Sequence, residues 1–283
     1  MIDARPSITA QRVAMRRAAH QLFDHPRVLE DPIAMPILGN EAQARIRGEE
    51  KSYRTRGAQY FRAFMVVRSR FAEDELAASV ARGATQYVIL GAGLDTFAYR
   101  NPFDARLRVF EVDHPATQAW KRDRLAAGAI AVPPSLTFAP VNFETQSLRE
   151  GLAAAGFDFG KTSFFSWLGV VPYLTRAAMM STLKFIAEMP SGSGVVFDYA
   201  RPRASLGFVG RIAFDALARR VAMAGEPFRL FFDRADLASE LGAKGFTTID
   251  DLNAEELNAR YFRDRSDGLK LRGHLGGLVS ARK

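Results

Sequence analysis

Two glycines and one acidic residue in the middle of the chain have types and spacing that could do chemistry. Gly91 and Gly93 directly follow the apolar run QYVIL, and Asp113 lies 22 residues after Gly91 in VFEVDHP. Glycine lets a backbone approach a ligand closely, and a carboxylate after the next strand can accept both hydroxyl protons of a ribose. The third glycine of a GxGxxG dinucleotide loop is missing, because position 96 is Thr96. The pattern favours a ribose-binding site at Asp113, with an ordinary tight turn as the alternative.

An arginine within an apolar helix face is the second candidate. In FRAFMVVRSRFAED (61–74), apolar residues at helical spacing form one stripe that includes Arg68. An inward-facing arginine needs an anion, which is either a ligand carboxylate or a structural acid. Arg70 instead has Glu73 and Asp74 at i+3 and i+4, the spacing of a surface ion pair. A ligand with a ribose and a carboxylate, but no complete pyrophosphate loop, favours S-adenosylmethionine over NAD.

Further candidates surround these residues. Gly93 and Asp95 belong to the same glycine-rich segment, GAGLDT, and count as candidate cofactor-binding residues. Glu111 alternates with Asp113 and shares its strand face, so it is also a candidate, although it could instead pair with Arg108 or Lys121.

Two tyrosines near the carboxyl ends of strands, Tyr173 and Tyr199, are candidate catalytic residues. Core aromatics with a satisfied hydroxyl are the alternative interpretation of both.

The elements that must position these residues alternate between strand and helix. From about residue 83, short β-rich runs at 86–90, 107–112, 136–141, 163–167 and 195–199 are separated by helical patterns. The runs are apolar on both faces, as in parallel strands covered by helices. We therefore predict an α/β doubly wound, mostly parallel sheet, completed by a closing helix and two late strands.

The whole chain, 1–283, is predicted to form a single domain. An N-terminal helical cap spans 1–82, with helices around 8–23 and 58–81, and the cofactor-binding core spans 83–200. A helical lid insertion follows at 201–232, and a closing helix and strands occupy 233–283.

Composition excludes several classes of protein. The 283 residues are 48% hydrophobic, with 39 basic and 31 acidic side chains and a net charge of +8. No cysteine is present and there are four histidines, so disulfide scaffolds, thiolate zinc sites and cysteine nucleophiles are excluded, and we predict no metal. The dispersed arginines favour a solvated surface over nucleic-acid binding. Without an apolar segment of signal or membrane-span length, a soluble, cytoplasmic protein is expected, and we expect a monomer.

Several segments together resemble a known family. SITAQRVAMRRA with EDPIA, then FRAFMVVRSRFAED, ILGAGLDTFAYR, VFEVDHP and SWLGVVPYLT, is similar to the leucine carboxyl methyltransferase family and its bacterial S-adenosylmethionine-dependent relatives, over residues 7–200. The resemblance implies a Rossmann-like class I methyltransferase fold with seven strands. It implies that Arg68 holds the methionine carboxylate, Gly91 lies against the cofactor and Asp113 binds the ribose.

Two positions depart from the family pattern. Asn142 and Phe143 stand where relatives carry an acidic and an apolar residue beside the adenine, so an amide replaces the acid. Leu168 stands where the fourth strand of the family commonly carries a glutamate before Gly-Val-x-x-Tyr.

The predicted function is S-adenosylmethionine-dependent O-methylation of a carboxylate or hydroxyl on a small-molecule acceptor, which is acidic or aromatic. Two alternatives stay open. One is a non-catalytic cofactor- or RNA-binding protein with a degenerate methyltransferase fold, and the other is an NAD(P)-dependent oxidoreductase.

Overall fold

One β-sheet forms the centre of the computed structural model, which describes residues 8–143, 145–223, 225, 227–273 and 275–283. Its strands are β1 (Gln86–Leu90), β2 (Arg108–Asp113), β3 (Leu136–Pro140), β4 (Ser163–Trp167), β5 (Gly194–Ala200), β6 (Thr248–Leu252) and β7 (Gly276–Arg282). The order across the sheet is β3-β2-β1-β4-β5-β7-β6. The first five strands in chain order pair in parallel, and β7 runs antiparallel to both β5 and β6. The prediction of a mostly parallel sheet of seven strands is confirmed, and β7 makes the sheet mixed.

The strand order places a ligand-binding crevice at one edge of the sheet. From β1 the chain winds outward through β2 to β3, and then returns to the other side of β1 with β4. In doubly wound sheets, ligands bind at the carboxyl ends of the strands where this order reverses. The residues that follow β1, β2, β3 and β4 therefore meet at one edge.

Helices cover both faces of the sheet. The helices among the described residues are α1 (Ile8–Phe23), α2 (Gly39–Gly48), α3 (Glu50–Tyr53), α4 (Arg56–Ala81), α5 (Pro115–Ala127), α6 (Leu148–Ala154), α7 (Arg176–Ala187), α8 (Phe208–Ala222), α9 (Arg234–Ala243) and α10 (Ala254–Tyr261). The cap helices predicted around 8–23 and 58–81 correspond to α1 and α4. The closing segment contains two helices where one was predicted, because α10 follows β6. Its signal is a capping box, in which Asn253 and Glu256 each accept a backbone N–H of the other.

Two apolar layers hold the sheet between the helices. On one face, β-strand residues pack with Leu152 of α6, Ile186 of α7 and Leu241 of α9. On the other face they pack with Phe71 of α4 and Leu257 of α10. The cap helix α4 also packs against α1, so it joins the rest of the cap to the sheet. Arg68, on α4, contacts Asp198 near the carboxyl end of β5.

The segment predicted as a lid contains α8. Its inner face is aromatic, with the Phe214 ring 6.2 Å from that of Phe228 and 5.7 Å from that of Phe231. Its outer face exposes Phe208 and Val209. Within the described part of the chain, no helix combines the length and apolar character needed to cross a membrane.

Candidate cofactor-binding site

The turn after β1 has a geometry that only glycine adopts easily. Gly91 has φ +66° and Gly93 has φ +47°, both in the left-handed region. The N–H groups of Gly91 and Ala92 donate to the Val112 carbonyl at 2.8 and 3.1 Å. A Cβ on Gly91 would lie 2.5 Å from Cγ2 of Val170. The turn is therefore packed between the ends of β2 and the segment that follows β4.

The carboxylate of Asp113 ties this turn to the end of β2. Its Oδ2 accepts the N–H of Gly93 at 2.6 Å, and its Oδ1 accepts the N–H of His114 at 2.7 Å. Burial raises the pKa of Asp113, and the two backbone N–H groups oppose that rise. The side chain is only half-buried, and each oxygen of a carboxylate has more than one acceptor position. Asp113 can therefore also accept protons from ligand hydroxyls.

Glu111 lies on the same strand face but is sealed in the interior. Its side chain is fully buried, and its carboxylate lies 2.6 Å from the Nζ of Lys121 on α5. The Tyr99 hydroxyl donates to the same carboxylate at 3.5 Å. Burial raises the pKa of Glu111, and the ammonium group of Lys121 opposes the rise. The ion pair with Lys121 favours a structural role for Glu111 over cofactor binding.

Arg68 is buried on α4, as its place in the apolar stripe predicts, with 6% of its surface exposed. Its Nη1 lies 3.4 Å from Oδ2 of Asp198 in β5, and the N–H of Gly169 donates to the other oxygen of Asp198. The sequence left open whether Arg68 pairs with a ligand carboxylate or with a structural acid, and Asp198 is such an acid. Among the described residues, this long contact is the only hydrogen bond of the Arg68 guanidinium. Because an arginine has five N–H donors, Arg68 can bind a further anion.

Asp95 belongs to an ionic cluster between the cap and the glycine turn. Its Oδ2 lies 3.9 Å from Nη1 of Arg17, and the Arg17 Nη2 donates to the Leu94 carbonyl at 2.5 Å. Asp31 lies 3.4 Å from the Arg17 Nε and accepts the Thr96 hydroxyl proton at 2.7 Å. Neither Arg17 nor Asp31 was predicted from the sequence as a site residue. The signal was present in EDPIA, whose aspartate is Asp31.

The ion pair predicted for Arg70 is confirmed with only one of its two possible partners. Arg70 lies 2.8 Å from Asp74 on the surface of α4. Glu73 instead pairs with Arg100, whose Nη1 donates to it at 2.8 Å. Arg100 also lies 3.5 Å from Asp31 and so joins the ionic cluster below the cap. Glu73 is half-buried, and burial raises its pKa while the Arg100 guanidinium opposes the rise.

Three further candidates follow β3 and β4 at the same edge as Gly91 and Asp113. Asn142 is half-buried, and Phe143 is 61% exposed, a large fraction for an aromatic side chain. Leu168 comes directly after β4 and packs against the apolar layer beneath α4. β4 pairs with β1 and β3 pairs with β2, so these residues lie at the same carboxyl edge of the sheet as the glycine turn.

The two candidate tyrosines have different surroundings. Tyr173 lies in a short 3-10 helix after β4, and its ring is 5.4 Å from that of Phe228, under α8. Tyr199 lies in β5, and its buried hydroxyl donates to Asp251 at 2.9 Å. Burial and the neighbouring carboxylate raise the pKa of Tyr199. These contacts favour the core-aromatic interpretation for Tyr199 and leave Tyr173 beside the candidate site.

The edge residues fit a ligand that carries a ribose, a carboxylate and an aromatic base. Gly91 and Gly169 leave no room for a side chain, since a Cβ on Gly169 would lie 2.8 Å from Nη1 of Arg68. Asp113 supplies hydroxyl acceptors, Arg68 supplies a buried cation, and Phe143 supplies an exposed aromatic face. S-adenosylmethionine is a ligand that carries these three groups.

Comparison with known proteins identifies the family. The model of the family described as Leucine carboxyl methyltransferase matches residues 10–187. A protein of Bacillus subtilis (strain 168) named "Putative S-adenosyl-L-methionine-dependent methyltransferase YktD" is 32% identical over 289 residues, which cover 93% of this chain and 93% of that protein. This chain belongs to the leucine carboxyl methyltransferase family. The family predicted from the sequence motifs is thereby confirmed.

A further relative and two solved structures also match over nearly the whole chain. A Saccharopolyspora erythraea protein, also named a putative S-adenosyl-L-methionine-dependent methyltransferase, is 29% identical over 280 residues, which cover 98% of this chain and 95% of that protein. The crystal structure of a Thermobifida fusca protein, described as a putative methyltransferase, matches with a TM-score of 0.58 at 14% identity, over 100% of this chain and 96% of that one. A Streptomyces avermitilis protein of the duf574 family matches with a TM-score of 0.56 at 13% identity over the whole of both chains. At these identities the structures support the methyltransferase-like fold alone.

Proposed function

We propose that this protein is an S-adenosylmethionine-dependent methyltransferase that transfers the methyl group to an oxygen of a small-molecule acceptor. The proposal is carried by the position of Asp113 at the end of β2, where it holds the Gly93 N–H and keeps acceptor positions for a ribose. The relatives in the family are named for the same cofactor.

The family pattern assigns each edge residue one contact with the cofactor. Asp113 accepts the ribose hydroxyl protons, and the backbone of Gly91 lies against the cofactor. Arg68 binds the methionine carboxylate, for which its spare N–H donors support the role. Asn142 and Phe143 flank the adenine. The Asn142 amide forms the hydrogen bond that an acidic side chain forms in relatives, and the exposed Phe143 ring is available for stacking.

Leu168 gives the fourth strand an apolar contact with the cofactor. Relatives commonly carry a glutamate at this position, whereas Leu168 packs against the layer beneath α4. An apolar side chain excludes water but accepts no hydrogen bond. Cofactor affinity in this protein therefore depends more heavily on Asp113 and Arg68.

The remaining task of the chain is to position the acceptor. The bound cofactor supplies a sulfonium methyl group that is already activated for transfer. The protein must align an acceptor oxygen with that methyl group and exclude water. An apolar wall is supplied by aromatic side chains on the inner face of α8 and beneath it: Tyr173, Phe214, Phe228 and Phe231.

A carboxylate is the first acceptor group to test. It is ionised at neutral pH and needs no general base, whereas a hydroxyl acceptor benefits from one. Tyr199 does not supply this base, because its hydroxyl donates to Asp251 and its pKa is raised. The family name refers to carboxyl methylation.

The two alternative functions are less well supported by these residues. For an NAD(P) oxidoreductase, Thr96 replaces the third glycine, and its hydroxyl is bonded to Asp31. For a non-catalytic binding protein, the features in favour are the basic net charge, Leu168 and the absence of an evident general base. A carboxylate acceptor needs no general base, and Leu168 changes one of several proposed cofactor contacts.

Isothermal titration calorimetry of the purified protein tests the cofactor. We expect micromolar binding of S-adenosylmethionine and S-adenosylhomocysteine, and no binding of NAD or NADP. Binding of the nicotinamide cofactors alone would support the oxidoreductase, and binding of none of the four would refute the proposal.

A second experiment tests the methylated atom. Acceptor candidates are incubated with methyl-labelled S-adenosylmethionine, and the products are treated with alkali. Methyl esters release volatile methanol under these conditions, whereas methyl ethers and methylated amines retain the label. Retention of label in every product would remove the carboxylate from consideration.

A further inference from the structure

A group of arginines lies between the N-terminal cap and α8, outside the candidate cofactor site. Arg12 and Arg16 are one helical turn apart on α1 and so share a face. The Arg16 guanidinium stands 4.4 Å from the ring centroid of Phe61 on α4. Arg220, near the end of α8, adds a third positive charge close enough to influence Arg16. We call these three side chains, Arg12, Arg16 and Arg220, the arginine cluster.

The arginine cluster lacks a balancing carboxylate among the described residues. The Nε of Arg16 is buried without a hydrogen-bond partner in the part of the chain that the structure describes. The neighbouring Arg62 shows how a buried arginine is usually paired with a carboxylate, because its Nε and Nη2 donate to Asp24 at 2.6 and 2.7 Å. Burial, together with the charges of Arg220, Arg62 and Arg12, lowers the pKa of Arg16 to about 10 against the opposing effect of Tyr53. An anion bound here would relieve both the repulsion and the unmet hydrogen bond.

The arginine cluster lies at a distance from the cofactor residues that one small molecule can span. Phe61, beneath Arg16, and Arg68 are separated by seven residues of α4, which correspond to two turns or about 10 Å. The helix α1 also touches the glycine turn, since a Cβ on Gly93 would lie 3.1 Å from Cβ of Ala10. Phe61 and Arg68 share one face of α4, so Arg16 stacks on that face two turns from Arg68.

We propose that Arg16, assisted by Arg12 and Arg220, binds an anionic group of the methyl acceptor, a carboxylate or phosphate other than the methylated group. Phe61 packs beside that group, and the acceptor extends from there toward Arg68. This inference rests on the proposed function and narrows it, because it selects apolar or aromatic acceptors that carry an anchoring anion. It also gives α8 a role, since Arg220 completes the site from the lid.

Arginine side-chain NMR provides a direct test. The Nε–Hε signals of protein labelled with 15N-arginine are followed during titration with phenylacetate, phenyl phosphate and, as the neutral probe, benzyl alcohol. We expect saturable shifts of the Arg16 signal with at least one of the two anions and none with benzyl alcohol. Assignment comes from the R16Q spectrum, and the anion that binds more tightly distinguishes a carboxylate from a phosphate anchor.

Matched variants decide whether the arginine cluster is responsible. R16Q and R220Q should weaken anion binding at least about tenfold, as expected for loss of a hydrogen bond to a charged group. R47Q removes an exposed arginine on α2 and should bind the anions like the wild type. Because Arg220 is exposed, R220Q keeps the test valid if R16Q does not fold.

The outcomes separate this inference from the proposed function. Each variant is also titrated with S-adenosylhomocysteine, which should bind R16Q as tightly as the wild type. Equal anion affinity in the wild type, R16Q and R220Q, or no saturable anion binding to the wild type, refutes the anion site whether or not the cofactor binds. Anion binding that depends on Arg16 in a protein that does not bind S-adenosylhomocysteine supports the anion site and refutes the proposed function.

Discussion

Replacing Gly169 with alanine should displace Arg68 and weaken cofactor binding. A Cβ at this position would lie 2.8 Å from Nη1, 2.9 Å from Nη2 and 3.1 Å from Cζ of Arg68. All three atoms belong to the end of the guanidinium, so the added methyl group must push it away from Asp198 and from the proposed carboxylate site. The backbone adds a second cost, because Gly169 has φ +71°, which disfavours alanine by about 1–2 kcal/mol.

The magnitude follows from the contact that is lost. A hydrogen bond to a charged group contributes about 1.5–3 kcal/mol, and each 1.4 kcal/mol changes a dissociation constant about tenfold. G169A should therefore raise the Kd for S-adenosylhomocysteine about 10- to 100-fold. Gly268 provides the matched control, since it has φ +70° and no atom within 4 Å of its ideal Cβ position. G268A should show a similar loss of stability with an unchanged Kd.

Isothermal titration calorimetry with S-adenosylhomocysteine measures the affinity, and urea denaturation measures the stability of both variants. S-adenosylhomocysteine is suitable because it has the same amino-acid carboxylate and no transferable methyl group. A wild-type Kd in folded G169A would show that Arg68 is not a cofactor contact. Equal weakening in G169A and G268A would show that the effect comes from backbone strain alone.

Three further predictions concern the end of β2. D113A should raise the Kd for S-adenosylhomocysteine at least about tenfold. It should also lower the free energy of unfolding by about 1–3 kcal/mol, because the N–H of Gly93 loses its acceptor. Calorimetry and urea denaturation measure the two effects, and a loss of stability alone would show that Asp113 has only a structural role. K121M should lower the free energy of unfolding at pH 8 by about 3–5 kcal/mol, because it leaves the buried Glu111 carboxylate without its ion-pair partner. Adding E111Q to K121M should restore most of the lost stability. Additive effects in the double variant would contradict the pairing. Burial raises the pKa of Glu111 from 4.5 to about 7, so its contribution is present below pH 4.5 and is lost as pH rises to about 7, by up to about 3 kcal/mol. E111Q should flatten that part of a pH series of urea denaturations, and an unchanged slope would show that Glu111 keeps an ordinary pKa.

Local sequence pattern was sufficient to predict most of the sheet. The runs at 86–90 and 163–167 coincide with β1 and β4, because strands buried on both faces carry an apolar residue at nearly every position. The helix α10 was missed because it has only eight residues and a single buried side chain, Leu257. A short helix gives little periodicity, and its capping box was the only clear signal.

The candidate site was predictable wherever a residue type and its strand position defined a role. Gly91 and Asp113 belong to this class, because a strand, a turn and the next strand are close in sequence. Arg68 could be placed inward from its helical stripe, but its neighbours Asp198 and Gly169 come from distant elements.

What the sequence by itself determined is most of the strands, the cap helices α1 and α4, the glycine turn, the acidic residue after β2 and the inward-facing arginine. Only the tertiary structure decided which charges meet. It paired Glu111 with Lys121, joined Asp31 to Arg17 and Thr96, and brought Arg220 near Arg16. The physical reason is that periodicity reports which face of an element is buried, whereas ion pairs form between elements whose approach depends on the whole packing of the fold.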